Sequence, residues 1–194
     1  MKILLAIIAI TLAACQPMAT KHVSPYAGEE ANKITSLTDI DIQSLKEGTG
    51  VAFGGMAKLA ELNSYPGPRH IIDLKEELNL DQEQLENITN SYKSMNQQSI
   101  QIGEQILTLE EELDLRFKDK TITRENLQNL VSQSASLYGR LRNIHLQAHL
   151  ESADILTEQQ IMKYDELRGY NGDPCSNIPE GHPPEMWKLH HGCE

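Results

Sequence analysis

Apolar or small side chains recur at Leu85, Ile88, Tyr92, Met95, Ser99, Ile102, Ile106, Leu109 and Leu113, in an unbroken alternation of three- and four-residue steps. A long helix with one narrow apolar seam has this spacing. Residues Lys118 to Thr123 interrupt it with charge and turn-prone side chains. A second seam then runs through Leu127, Leu130, Ser134, Leu137, Leu141, Ile144 and Ala148. Neither seam is stable alone in water. Two such helices with a short link pack as a long antiparallel hairpin, so the predicted fold class is all-α with short flanking helices. The stripes are narrow and the outer faces are rich in Glu and Gln. The hairpin is therefore thin, and its burial calls on the short N-terminal segments or on a second subunit.

The flanking segments carry their own punctuation. Thr38 is placed to cap a short helix that Gly48 and Gly50 stop. Val51 to Leu62 is a second short apolar segment, loosened by Gly54 and Gly55. Ser64-Tyr65-Pro66-Gly67-Pro68 reads as a turn, because two prolines and a glycine cannot continue a helix. Ile71 to Leu78 reads as helical.

The first residues have a different pattern. Met1-Lys2 precedes an almost wholly apolar run from Ile3 to Ala14, too short to span a bilayer as a helix. It ends Leu12-Ala13-Ala14-Cys15, small residues before a cysteine, as in a lipobox. Residues 1–14 are therefore expected to be a lipoprotein signal peptide and Cys15 the lipid-bearing residue. Gln16 at the next position favours the outer membrane, with the domain held in the periplasm. Residues 15–35 follow as a flexible tether, 36–170 as the helical domain, and 171–194 as a tail of different character.

Charge changes the picture in one respect. The formal net charge is −11, and losing Lys2 makes it −12. Phosphate polymers would be repelled, so nucleic acid is not an expected partner. Cysteine changes it in another. With Cys15 assigned to lipid, Cys175 and Cys193 are left as an even pair in an oxidising compartment.

Two short segments share one form. Leu80-Asp81-Gln82-Glu83-Gln84 and Leu156-Thr157-Glu158-Gln159-Gln160 each place a capping residue three positions before a glutamine. The Asp81 or Thr157 oxygen can accept from a first-turn N–H, and the Gln84 or Gln160 side chain can reach back to the cap. Leu80 and Leu156 are positioned as staples onto Leu85 and Ile161. With these boxes the chain resembles the LTxxQ repeat proteins, which include the Spy/CpxP periplasmic chaperones and the ZraP/CnrX-type heavy-metal resistance and sensor proteins. Leu156–Gln160 matches that motif fully, and Leu80–Gln84 has Asp in place of Thr. The segments Glu61–His70, His145–Leu150 and Leu167–Tyr170 also look like a bacterial branch grouped there. The resemblance covers about residues 36–170. It implies a hooked four-helix hairpin, often a homodimer that forms a cradle. It implies envelope-stress chaperoning or metal sensing rather than catalysis.

Candidate chemistry is sparse. No Gly-rich phosphate loop, no His-Glu-x-x-His and no placeable Ser/His/Asp set occurs, and no enzyme activity is expected. Glu110-Glu111-Glu112 reads as a solvated helical face. His145 and His149 stand four apart, which stacks two imidazoles on one helical face as half of a metal site. The other ligands would come from the partner helix or another subunit. The bland alternative is a pair of partly exposed helix residues. His22 and His70 read as lone surface groups. The tail gathers Cys175, His182, Met186, His190, His191 and Cys193 with four prolines and Trp187. A Cys175–Cys193 disulfide closing a loop around Trp187 and a metal site on His182, His190 and His191 are both open, and they are not exclusive. Zinc or copper would suit these donors before nickel or cobalt. Three functions are therefore carried forward: binding of unfolded or envelope proteins with a metal as modulator, heavy-metal sensing or resistance, and a non-catalytic helical adaptor in the envelope.

Overall fold

The computed structural model describes residues 23–170, 172–176, 178 and 181–193. The expected signal peptide, Cys15 and His22 lie outside the described residues. Within them the chain is all-helical, with seven α-helices and no strand. They are α1 (Asp39–Glu47), α2 (Lys58–Glu61), α3 (Pro68–Asp73), α4 (Gln82–Lys118), α5 (Arg124–Ile155), α6 (Glu158–Leu167) and α7 (Pro184–His191). None of the described helices is long and apolar enough to cross a membrane.

The two long seams form the long helical pair α4 and α5. Ser91 bonds Glu151, Ser99 meets His145, and Ser134 donates to Glu110. Partners therefore descend along α5 as they ascend along α4. Thr123 starts α5 by accepting from the Asn126 N–H at 3.1 Å. The inward face of α5 departs from the predicted seam in two places. Leu127 is exposed, and beyond Leu141 the buried position is His145 rather than Ile144. A real helix turns every 3.6 residues, so a strict 3-4 alternation drifts off the contact line.

The N-terminal helices cover the thin pair. Thr38 and Asp41 form a reciprocal capping box at the start of α1, and Gly48 ends it in the left-handed conformation. Ile42, Leu45, Ala52 and Met56 then bury against Ile102, Ile106 and Leu107 of α4 and Leu137 and Leu141 of α5. The covering layer starts earlier than the expected boundary at residue 36. Ile34 is fully buried in this cluster, and Thr35 hydrogen-bonds Asp114 of α4. A buried isoleucine contributes about 2 kcal/mol, which ties down the end of the stretch read as tether.

A second cluster closes the other end. Ile71, Leu78 and Ile88 pack on Leu156 and Tyr164. Here the helix expected over Ile71–Leu78 is shifted to Pro68–Asp73. Pro68 cannot continue a helix but suits its first turn, where no N–H is needed. Residues 74–79 are turns, and Asn79 adopts a left-handed φ of 49° before the box at Asp81.

One further expectation is corrected. Glu110 does not belong to a solvated face. It is half-buried and accepts from Ser36, Ser134 and Tyr138, bridging the N-terminal layer to α5. Burial beside the Glu110 carboxylate pushes the Tyr138 phenol well above its ordinary range.

Candidate functional site

A pocket of about 370 Å³ lies between α5, α3 and the segment from Thr49 to Glu61. His145 and His149 line it from α5, His70 from α3, and Glu61 from the end of α2. The four-residue spacing puts both α5 imidazoles on one face, as the sequence implies. Neither is the partly exposed helix residue of the bland reading, since His145 is 4% and His149 9% exposed. His70 is no lone surface group either. The Pro68 start of α3 turns it half-buried into the same pocket.

Each α5 ring has one nitrogen engaged. His145 Nε2 stands 3.2 Å from Ser99 Oγ, at a fully buried point of α4. His149 Nδ1 donates to the Tyr65 carbonyl at 2.7 Å. Each ring also rests in a notch left by a glycine. A Cβ on Gly50 would fall 2.7 Å from the His145 ring, and one on Gly67 would fall 2.9 Å from the His149 ring. Gly50 also has a φ of 74°, which L side chains rarely adopt. Burial, with a smaller contribution from the charge of His149, pushes the His145 imidazole down to about 4. Burial likewise lowers His70, aided by Arg168.

Behind the imidazoles sits a carboxylate hub. Glu61 Oε1 accepts from Tyr164 Oη at 2.6 Å, from Tyr170 Oη at 2.7 Å and from Arg168 Nε at 3.3 Å. Its Oε2 accepts from the Gly67 N–H at 3.2 Å and lies 3.8 Å from His149 Nδ1. Burial raises the Glu61 carboxyl, but the tyrosine hydroxyls and Arg168 outweigh it and hold the group below its ordinary value. The same hub pushes Tyr170 up to about 12, through burial first and then Glu61. Glu61, Tyr164, Arg168 and Tyr170 were not singled out from sequence as site residues. Glu61, Arg168 and Tyr170 fall in the segments Glu61–His70 and Leu167–Tyr170, which the fold brings beside His145–Leu150, whereas Tyr164 lies in none of them.

The tail residues are gathered elsewhere. A disulfide joins Cys175 to Cys193. Inside that loop the Trp187 indole donates to the Pro174 carbonyl at 2.7 Å, and its ring meets those of His182 and His191. His190 is exposed. His191 and Trp187 line a separate pocket with Leu62 and Tyr170. The α5 histidines and His191 therefore line two different pockets. Among the described residues, no three His, Cys, Asp or Glu side chains already stand close enough to share one ion.

The twin boxes meet at the end of the long pair. Asp81 and Thr157 each cap their helix, with Gln84 and Gln160 returning to the cap N–H. The two glutamine side chains then bond one another. Comparison with protein-family models, with curated proteins and with solved structures yields no match.

Proposed function

We propose that the protein is a lipid-anchored periplasmic protein of the Spy/CpxP kind, which holds unfolded or envelope proteins against its helices and works as a homodimer. In this reading α4 and α5 are the arms of a hooked antiparallel hairpin, Cys15 is the anchor, and no reaction is catalysed. The paired Gln84 and Gln160 boxes fit the LTxxQ resemblance on which the reading began.

One observation carries it. Leu127, Val131 and Tyr138 fall on a single face of α5 by helical spacing, and that face is continued by Phe53. Val131 is 48% exposed and Phe53 42%, and Val51 beside it is 57% exposed. Phe53 sits at φ 56°, a conformation that costs a bulky residue on the order of 1–2 kcal/mol. Its N–H donates to Asp41 Oδ1 at 2.9 Å, which holds it there. The ring packs edge-on against Tyr138 and still leaves an apolar edge exposed, which suits a surface that meets apolar segments. The test is suppression of aggregation of a chemically denatured client, followed by light scattering, with the protein lacking residues 1–15.

A further inference from the structure

We propose that the Cys175–Cys193 disulfide is a redox-operated strap. It holds the tail as one wall of the pocket at the end of α6, and its reduction releases that wall while the helical body stays folded. The inference does not rest on client binding. It rests on where the tail is fastened.

The pocket has a volume of about 620 Å³ and two walls. Leu62, Leu167 and Tyr170 come from the helical body, and Pro174, Ile178 and Trp187 from the tail. The body wall is fixed. Tyr170 Oη donates to Glu61 Oε1 at 2.7 Å, and the Tyr170 N–H donates to the Asp165 carbonyl at 2.9 Å. Cys175 follows shortly after this anchor, in a turn that Asp173 organises. Asp173 accepts from the Cys175 N–H at 2.9 Å and from Ser176 Oγ at 2.6 Å. One end of the disulfide is therefore tied to the body.

The other end has no such tie among the described residues. None of the α7 side chains is buried. The Trp187 indole donates to the Pro174 carbonyl at 2.7 Å, and its ring meets His182 and His191, so these contacts stay inside the tail. A helix as short as Pro184–His191 with nothing buried is not stable alone in water. The disulfide supplies the missing constraint across a sequence separation of 18. Closing a loop of that size disfavours open forms by a factor on the order of 100. The body does not need it, since neither apolar cluster draws on a residue beyond Tyr170.

Both cysteines are half-exposed. A thiolate of a dithiol reductant attacks one of their sulfurs, breaking the Cys175–Cys193 bond and forming a mixed disulfide. The second thiol of the reductant then closes its own disulfide. Two electrons and two protons pass to Cys175 and Cys193, which leave as thiols.

Trp187 is the sole tryptophan, so its fluorescence reports on the tail alone. The test is titration of the full chain with dithiothreitol, with alkylation of Cys175 and Cys193 followed by mass. In step with alkylation, Trp187 emission should shift to the red and become more open to acrylamide. In Cys175→Ser with Cys193→Ser, tryptic cleavage after Lys188 should quicken by on the order of 100-fold. The thermal midpoint of the helical body, read by circular dichroism, should stay at the parent's value. Titration of the parent decides the matter if the double variant fails to fold. Emission and quenching unchanged by reduction, cleavage no faster than in the parent, or a midpoint that falls with the disulfide would overturn the proposal.

Discussion

Gln84 and Gln160 exchange side-chain amide hydrogen bonds at 2.9 and 3.0 Å, although 76 residues separate them. Each side-chain N–H₂ also donates to a backbone carbonyl, of Ile155 for Gln84 and of Leu78 for Gln160. Each Oε1 takes its own cap N–H, from Asp81 or Thr157. Both amides are thus saturated, and two local helix caps become one joint between α4 and α6. Gln84→Ala and Gln160→Ala should each cost about 1–2 kcal/mol. The double variant should cost less than their sum by about 1 kcal/mol, because either change breaks the exchange. Urea denaturation of the four proteins measures this, and strict additivity would contradict the joint.

Gly103 of α4 lies against the backbone of α1. A Cβ there would fall 2.1 Å from the Leu45 carbonyl oxygen. Alanine is the better helix former by about 1 kcal/mol, but backbone cannot yield as a side chain can. Gly103→Ala should therefore destabilise by more than about 2 kcal/mol. Gly139 on α5 meets nothing within 4 Å. Gly139→Ala should stabilise by up to ~1 kcal/mol. Opposite shifts in thermal midpoint are the expected result.

Acid should loosen the protein through His145. Its folded value is pushed from 6.5 down to about 4, so the unfolded chain binds more protons between those values. Stability is then complete above about pH 6.5 and falls as pH drops toward 4, by on the order of 3 kcal/mol in full. Glu61 and His70 act in the same direction, since all three are lowered on folding. Glu61 contributes only at the acid end of that window. His145→Gln should flatten the decline between pH 6.5 and 5, measured as thermal midpoint against pH.

Tyr164 is fully buried and gives its hydroxyl to Glu61. Hydrogen bonds to charged groups are worth about 1.5–3 kcal/mol. Tyr164→Phe should cost that much and should raise the Glu61 carboxyl, because one of the donors that lower it is gone. Carbon-13 titration of the Glu61 carboxyl checks the second outcome.

The long pair and the capping boxes were legible because their causes are local. A seam is a spacing, and a box is two residues three apart. The shift from Ile144 to His145 was not legible, since it comes from accumulated helical drift against a partner. Pro68 was legible as a break but not as a helix start, which depends on where α3 docks. The pair His145 and His149 could be seen on one helix face. That His70 and Glu61 join them follows from a return of the chain across more than 70 residues, which no spacing encodes. Glu110 shows the converse error. A charge run looks solvated until a neighbouring layer brings Ser36, Ser134 and Tyr138 to it.

One comparison tests the client-holding surface. Light scattering of a denatured client would be followed with the protein lacking residues 1–15, and with the same protein carrying Phe53→Ser and Val131→Glu. Both positions are exposed, so the fold should survive the pair, as circular dichroism would show. The parent should delay aggregation at equimolar protein, and the double variant should lose most of that delay. No delay by the parent at severalfold excess, with or without zinc, or equal protection by the double variant, would contradict it.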